Sequence, residues 1–416
     1  MPTLSDVCEL IVDSEHKTAP KAESGHPMIR TPDIGVGRLN LDRVQFVDEP
    51  SYLEWTRRAT PQPNDLILAR EAPVGNVGIV LFGMEPCLGQ RTVLLRPNRE
   101  AIVPLFLNYL LSGSEFRARM DALSNGATVP HLNMKDIRGL ELPELPPQNV
   151  QYRIASVLSA YDELIENNTR RIQILEEMAQ AIYREWFVEF RYPGHNDVPL
   201  VDSELGPIPK GWGVREFGDT VTMGRKNVDP RTRPAEIFAH FSLPAFDRNH
   251  QPVFEAGVEI MSIKREIPGP CVLYSKLNPR IPRVWFVDGR DQGGYCPIAS
   301  SEFLVLMPQD NWTLSLIFAV CCSPEFANRV VGMAGGTSTS HQRARPGDLF
   351  QLPVVDPPPE LVERLDVTVR PMLDLAEALR SAVRNLRATR DLLLPRLISG
   401  EIDVSELAID TSELAA

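Results

Sequence analysis

The sequence lacks the short motifs that mark common catalytic sites. It contains no G-x-x-x-x-G-K-[ST] phosphate loop, no H-E-x-x-H helix and no G-x-S-x-G nucleophile elbow. Residues 356–358 have the acidic-Pro-Pro order of amino-group methyltransferases, but Pro359 stands where a base-stacking aromatic residue is needed, and no glycine-rich cofactor loop precedes it. We therefore predict a non-catalytic protein, and a degenerate fusion enzyme is the least favoured interpretation.

Zinc-binding patterns and membrane-spanning runs are also missing. The six cysteines form no Cys-x-x-Cys pair and have no histidine at zinc-ligand spacing, so we expect buried thiols of a reducing compartment and no metal site. The longest apolar run, 314–322, is too short to span a bilayer, and residues 1–17 are mixed and charged. These absences predict a cytoplasmic protein without a membrane segment.

An overall basic excess is absent, because the formal net charge is −12. The acidity lies mainly in residues 146–205, with 5 basic and 10 acidic side chains, and in 356–416, with 7 and 12. Residues 1–145 carry 15 and 19, whereas residues 206–355 carry 16 and 14. Phosphate neutralisation supplies most non-specific DNA affinity, so we expect this chain to hold DNA tightly only with a basic partner.

The sequence does contain a long internal repeat. The runs at 114–116 and 126–131 and the proline at 143 recur about 210 positions later, at 323–326, 336–341 and 353. Solenoid and propeller repeats have periods of roughly 20–50 residues, so each copy here is expected to be a domain with its connector. The predicted segments are a globular domain (1–145), a helical spacer with linker (146–205), a second globular domain (206–355), and a second helical spacer with tail (356–416).

A heptad pattern follows each globular segment. Apolar residues alternate in steps of four and three over more than four heptads, as in a coiled-coil seam. We predict that the two helices pair antiparallel; the alternative is two amphipathic helices, each packed on its own domain. Asn168 is expected to fix the register, and Pro371 to kink or split the second helix. The predicted seam residues are Ile154, Leu158, Tyr161, Ile165, Asn168, Ile172, Leu175, Ile182, Leu365, Met372, Leu379, Val383, Leu386 and Leu393.

Each globular segment reads as an α+β domain. Short β-type runs broken by proline and glycine precede a helical stretch, at 105–123 in the first segment and at 314–331 in the second. The predicted strands are 65–68, 77–81, 92–95, 271–274, 284–287 and 303–306.

Loops rich in Gly, Pro and Arg interrupt these strands at 70–76 and 276–283. Arg, Lys and Asn pair with base edges in the major groove, so these loops are candidates for DNA contact; the alternative is that they are solvated turns. The Gly-Thr/Ser elements at 126–131 and 336–341 suit phosphate contact or, equally, helix capping. The candidate DNA-binding residues are Arg70, Asn76, Arg91, Thr128, His131, Asn133, Lys276, Arg280, Arg283, Thr337, Ser338, His341 and Arg343.

Several runs resemble the specificity subunit of type I restriction-modification enzymes. They are GATVPHLN at 126–133, the stretch 142–162, EEMAQAI at 176–182, WFVEF at 186–190 and LLLPRLISGEI at 392–402. The resemblance implies an α+β protein with two similar target recognition domains, separated by two long antiparallel coiled-coil helices in a pseudo-two-fold internal repeat. Each domain would read one half of a bipartite site in double-stranded DNA, and the helices would set the spacer and dock two modification (methyltransferase) subunits.

The resemblance also places the cofactors on partners. It implies none in this chain: S-adenosylmethionine belongs to the modification subunits, and ATP and Mg to optional restriction (motor-nuclease) subunits. The second copy departs from the pattern, since 359–365 lacks the Pro-x-x-x-Gln-x-x-Ile core found at 147–154 in the first joint. The alternative function is a coiled-coil adaptor that presents two homologous protein-binding domains without DNA recognition.

Overall fold

A computed structural model describes residues 1–124, 130–289, 293–333 and 342–407, apart from the side chain of Asp197. The chain forms two compact units. The first consists of Met1–Leu164 and Leu386–Ala416, and the second of Ile165–Asn385. The four-segment division expected from the sequence stays a prediction.

The first part of the chain alternates short strands with helices. Its elements are α1 (Leu4–Val7), β1 (Cys8–Asp13), β2 (His26–Ile29), β3 (Gly37–Arg38), β4 (Gln45–Val47), α2 (Glu49–Trp55), β5 (Leu66–Ala69), β6 (Val77–Ile79), β7 (Cys87–Leu88), β8 (Thr92–Pro97), α3 (Pro104–Ser112), α4 (Ser114–Leu123), α5 (Met134–Arg138) and the long helix α6 (Gln148–Tyr183). Helix α6 passes from the first unit into the second and ends in a π-helical turn, Arg184–Val188.

The rest of the chain repeats this alternation. Its elements are β9 (Leu200–Val201), β10 (Ile208–Pro209), β11 (Gly213–Glu216), β12 (Val221–Gly224), β13 (Asn227–Val228), β14 (Ile237–Phe241), α7 (Leu243–Asn249), β15 (Val253–Ala256), β16 (Lys264–Glu266), β17 (Cys271–Ser275), β18 (Val284–Val287), β19 (Cys296–Ala299), β20 (Phe303–Pro308), α8 (Leu314–Cys322), α9 (Pro324–Met333), α10 (Pro346–Phe350), β21 (Pro353–Asp356) and the long helix α11 (Pro359–Ile398). Helix α11 starts in the second unit and ends in the first.

The main sheets of the two units share one strand order. The first unit has β1-β8-β5-β6-β3, and the second has β12-β20-β17-β18. In both, the four common strands pair antiparallel. Each of the six strands predicted from the sequence corresponds to one of β5, β6, β8, β17, β18 and β20. The mixed strand and helix content agrees with the predicted α+β class.

The smaller sheets repeat as well. The first unit has β4-β2-β7, in which β2 and β7 are parallel, and the second has β15-β14-β19, in which β14 and β19 are parallel. The second unit extends this sheet with β16 and β13. The internal repeat seen in the sequence is therefore a repeat of topology, and the smaller sheet has two additional strands in the second copy.

In the first unit, the start of α6 and the end of α11 complete the core of the globular part. Leu158 of α6 and Leu397 of α11 are almost fully buried in the same cluster as Phe106 of α3. The Arg153 guanidinium donates to the carbonyl oxygen of Val404, 3.3 Å away, while Asp162 pairs with Arg390. The partner position falls from Val404, just after α11, to Arg390 on α11 as the position on α6 rises from Arg153 to Asp162, so the two helices are antiparallel here.

In the second unit, the end of α6 and the start of α11 also pack against each other. Glu176 pairs with Arg380 at 2.5 Å, and the Arg364 guanidinium donates to the carbonyl oxygen of Pro193 at 3.4 Å. These pairs are again antiparallel. All the predicted seam residues of both helices are buried or half-buried, which fits a coiled coil.

Helix α11 is continuous through Pro371, so a split at this residue is wrong, whereas a kink there stays a prediction. Proline removes one backbone donor and deprives the carbonyl four residues earlier of its helical partner. Pro371 is exposed, and Val367, which carries that carbonyl, is 72% exposed. Water can therefore satisfy the freed oxygen, and the buried seam on the opposite side stays intact.

Candidate nucleic-acid interface

In the first unit, three chain segments lie side by side at one end of the main sheet. Arg70 directly follows β5; its backbone N–H donates to the carbonyl of Arg91 at 2.9 Å, and its carbonyl accepts from the N–H of Leu132 at 3.0 Å. Glu71 forms an isolated antiparallel bridge with His131. Backbone hydrogen bonds thus fix the positions of these residues independently of their side chains.

The second unit repeats the arrangement bond for bond. The N–H of Lys276 donates to the carbonyl of Glu302 at 2.9 Å, and the Lys276 carbonyl accepts from the N–H of Ala344 at 3.0 Å. Leu277 bridges Arg343. Lys276 therefore occupies the position of Arg70, Glu302 that of Arg91, and Arg343 that of His131.

Strand register adds one further pair of equivalent positions. Val12 of β1 pairs with Leu94, and Gly224 of β12 pairs with Val305, the equivalent of Leu94. The residues that follow, Asp13 and Arg225, are thus equivalent. We call Asp13, Arg70, Glu71, Arg91 and His131 the first strand-end cluster, and Arg225, Lys276, Leu277, Glu302 and Arg343 the second strand-end cluster.

The structure corrects the alignment of the two copies in this region. The sequence repeat matched His131 with His341, an offset of 210, but the bridges match His131 with Arg343. Helices α4 and α9 begin 210 residues apart, at Ser114 and Pro324, whereas α5 and α10 begin 212 apart. The connection between these helices is therefore two residues longer in the second copy. The candidates Thr128, Thr337, Ser338 and His341 lie outside the described residues.

The first unit uses most of its candidate side chains for internal contacts. The Arg70 guanidinium donates to Asp13 at 2.5 Å and to the carbonyl of Leu132 at 2.9 Å. The Asn76 amide donates to the carbonyl of Ile34 at 2.9 Å. Arg91 is 55% exposed and pairs with Glu71 at 2.9 Å.

The last described candidate of the first unit, Asn133, lies at the N-terminus of α5. Its amide donates to Asp136 at 3.3 Å, and its side chain is exposed. A role in base reading for any of the first-unit residues stays a prediction.

The second unit divides its candidates into paired and open cations. Arg283 is only 12% exposed and donates twice to Asp247, at 2.6 and 2.8 Å. Arg343 pairs with Glu302 at 3.0 Å. Arg280 is exposed and has no ion-pair partner among the described residues.

Lys276 is half-buried beside other cations. Burial lowers its pKa, Glu302 opposes that change, and the nearby Arg265 and Arg343 lower the pKa further. Three cations therefore share one neighbourhood. Sequence reasoning missed Asp13, Arg225 and Arg265, because only the sheet register brings these residues to the strand ends.

A different polar cluster lies between the helices of the first unit. Asp162 accepts from the Tyr109 hydroxyl at 2.8 Å and from Arg390 at 2.5 Å, and Arg38 lies 3.5 Å away. The three donors come from α3, α11 and β3. One carboxylate thus holds the globular part and both long helices together in this unit.

The second unit has its own buried network around Arg380. This guanidinium pairs with Glu176 and Glu377, and its backbone carbonyl accepts from the Gln251 amide at 2.5 Å. Burial raises the pKa of Glu377 to about 7, although Arg380 opposes that shift. The network joins α6, α11 and the segment after α7, so it serves the packing of the helices and not an exposed binding surface.

No group of His, Cys, Asp and Glu placed to hold a metal ion occurs within residues 1–124, 130–289, 293–333 and 342–407. In the same ranges no single helix is long and apolar enough to cross a membrane. Helices α8 and α9 pass that test only as a pair, with a 63° bend between them.

Comparison with known proteins shows which proteins this chain resembles. The family profile described as "Type I restriction modification DNA specificity domain" matches residues 1–177. The chain is 24% identical over 374 residues to the MjaIX specificity subunit of a type I restriction enzyme from Methanocaldococcus jannaschii, covering 87% of this chain and 82% of the relative. The recognition made from the sequence is confirmed. This chain is a relative of the type I specificity subunits.

Two further comparisons agree. The HindI specificity subunit of Haemophilus influenzae is 33% identical over 100 residues, which cover 24% of this chain and 22% of that one. A type I specificity subunit crystal structure from M. genitalium matches 97% of this chain and 96% of its own, with a TM-score of 0.55 and 15% identity. The M. genitalium specificity subunit thus shares its fold with this chain.

Proposed function

We propose that this chain is the non-catalytic DNA-reading subunit of a type I restriction-modification complex, in which each unit reads one half of a bipartite site. The observation that carries the proposal is the duplicated framework: two sheets with one strand order, each ending in the same hydrogen-bonded arrangement of strand ends. Two related surfaces on one chain suit two half-sites of one duplex, because each half-site then meets the same backbone geometry with different side chains.

The long helices supply the second part of the proposal. Helix α6 has 36 residues and α11 has 40, so at about 1.5 Å per residue they are roughly 54 and 60 Å long. In this proposal the length of the pair sets the unread spacer between the half-sites. The acidic helices also dock two modification subunits, whose basic surfaces would add the DNA affinity that this acidic chain lacks.

The competing function is a coiled-coil adaptor that binds protein and no DNA. Footprinting and gel shift at physiological salt, with and without the modification subunit, separate the two. The DNA-reading function predicts a weak shift for the chain alone and a specific footprint for the complex. Absence of a footprint under both conditions would favour the adaptor, and tight specific binding by the chain alone would refute the need for a partner.

Matched shortening of the helices tests the spacer. Deleting residues 165–171 of α6 together with residues 382–388 of α11 removes one heptad from each partner and keeps both seams in phase. The pair becomes about 10 Å shorter, which corresponds to roughly three base pairs at about 3.4 Å each. We expect both half-site sequences to be read with a preferred spacer shorter by about three base pairs.

Methylation of a library with randomised spacer lengths measures that preference. The control is deletion of residues 165–171 alone, which leaves the partner helix unmatched and should lower stability without defining a new spacer. If the matched deletion reads both half-sites at the original spacer, the helices do not set the distance.

A further inference from the structure

The two strand-end clusters have the same backbone arrangement but a different balance of charge. In the first cluster the two arginines are each paired, Arg70 with Asp13 at 2.5 Å and Arg91 with Glu71 at 2.9 Å. Two cations therefore face two anions, and His131 completes the set. The first cluster is internally neutralised.

In the second cluster the anions are replaced. Arg225 stands at the position of Asp13, and Leu277 stands at the position of Glu71. Glu302 is the one carboxylate of this cluster, and it already pairs with Arg343 at 3.0 Å. Three cations therefore face a single anion.

An extra strand adds a fourth cation. Arg265 lies on β16, which belongs to the extension found in the smaller sheet of the second unit. Its guanidinium donates to the carbonyl of Arg225 at 3.1 Å and to the side-chain oxygen of Asn227 at 2.7 Å. These bonds hold the Arg265 side chain beside the strand ends, where its charge lowers the pKa of Lys276.

Cations gathered on a rigid backbone without matching anions raise the local potential and repel each other. An external anion relieves that repulsion. Duplex DNA presents such anions at regular spacing, and Arg and Lys side chains are the usual partners of its phosphates. The backbone bonds of Lys276 to Glu302 and Ala344 keep its position fixed before any ligand arrives.

We propose that the second strand-end cluster, with Arg265, binds backbone phosphates of duplex DNA, whereas the first strand-end cluster contributes little phosphate affinity. The proposal rests on the DNA-reading function above and adds an asymmetry to it. The two half-sites contribute unequally to the salt-dependent part of the affinity, and the second unit supplies most of that part.

The test uses the chain in complex with its modification subunits and a duplex that carries its target site, with the dissociation constant measured between 50 and 200 mM salt. Each phosphate contact contributes roughly 0.9 to the slope of log affinity against log salt. Lys276→Gln should reduce the slope by about 0.9, and the double variant Arg225→Gln/Lys276→Gln should reduce it by about 1.8. Both reductions should be the same for duplexes with a specific and with a scrambled second half-site. Lys210→Gln, at an exposed lysine elsewhere in the second unit, is the matched control and should leave the slope unchanged.

The reverse change belongs in the first unit. Asp13→Asn removes the carboxylate that neutralises Arg70, so it should steepen the slope by up to about 0.9 and not flatten it. Lys276→Arg keeps the charge and should restore the wild-type slope, which separates loss of charge from loss of folding.

Three results would overturn the proposal. They are an unchanged slope in the double variant while specific binding persists, a loss confined to one base of the half-site, and a Lys276→Arg variant as impaired as Lys276→Gln. In each of these cases the DNA-reading function would still stand. A wild-type complex without any sequence-dependent binding would instead refute the DNA-reading function itself.

Discussion

Replacing Asp162 by Asn tests whether one carboxylate holds the first unit together. The substitution keeps the size of the side chain and an acceptor for the Tyr109 hydroxyl, but it removes the charge that Arg390 contacts at 2.5 Å and Arg38 approaches at 3.5 Å. Arg387 lies in the same neighbourhood: burial lowers its pKa, and Arg38 and Arg390 lower it further. Without Asp162 these arginines would repel each other with less compensation.

The magnitude follows from the burial of the pair. The side chains of Asp162 and Arg390 are 23% and 19% exposed, so solvent screens their interaction only in part. A hydrogen bond to a charged group contributes about 1.5–3 kcal/mol, and loss of the carboxylate also leaves a partly buried guanidinium short of a partner. We expect Asp162→Asn to cost about 2–3 kcal/mol. For a unit of this size that lowers the melting temperature by about 4–12 °C.

Urea unfolding measures the loss of stability, and amide hydrogen exchange shows which helical segments it affects. Exchange should accelerate at 148–164 and 386–398, the helical segments of the first unit. Asp391→Asn is the matched control, because Asp391 accepts from the same Arg390 but is 65% exposed, and an exposed pair contributes only about 0–1 kcal/mol. Equal losses in the two variants, or faster exchange confined to the second unit, would refute the reasoning.

The remaining predictions concern the second unit. Burial raises the pKa of the Glu377 carboxyl from 4.5 to about 7, so between these pH values the folded state binds more protons than the unfolded state, and the free energy of unfolding should fall as pH rises. Glu377→Gln should abolish that decline. If the urea midpoints of this variant at pH 5 and pH 8 differ as much as those of the wild type, the prediction is contradicted. Arg283→Ala should cost about 1 kcal/mol of folding stability, because it removes the two hydrogen bonds to Asp247. An unchanged urea midpoint would count against this role. Arg280→Ala should leave stability unchanged but cost about 1–3 kcal/mol of affinity at one half-site in competition binding; a uniform loss across sequences would assign it to phosphate.

Much of the framework could be predicted from the sequence because its signal is local. The run at 284–287 is a strand with the same bounds in the structure, since four consecutive apolar residues fill a strand buried on both faces. The heptad pattern located the buried face of both long helices for the same reason. The split expected at Pro371 was wrong, because the consequence of a proline depends on which side of the helix faces water.

The composition of the strand-end clusters could not be predicted, because it depends on long-range pairing. Asp13 meets the residues near Arg70 only because β1 pairs with β8, about eighty positions later in the chain. The offset between the two copies also changes from 210 to 212 between α4 and α5, so a constant repeat assigns the wrong partner to His131. Hydrophobic periodicity carries no information about either feature.

The division of the long helices between the units has a consequence for synthesis. Leu397 and Val404 are almost fully buried in the same cluster as Leu4, so the first unit needs residues from both ends of the chain. The second unit lies wholly within Ile165–Asn385. A ribosome that makes the chain from its N-terminus therefore completes the second unit before the first. The core of the first unit stays incomplete until the end of α11 has been synthesised.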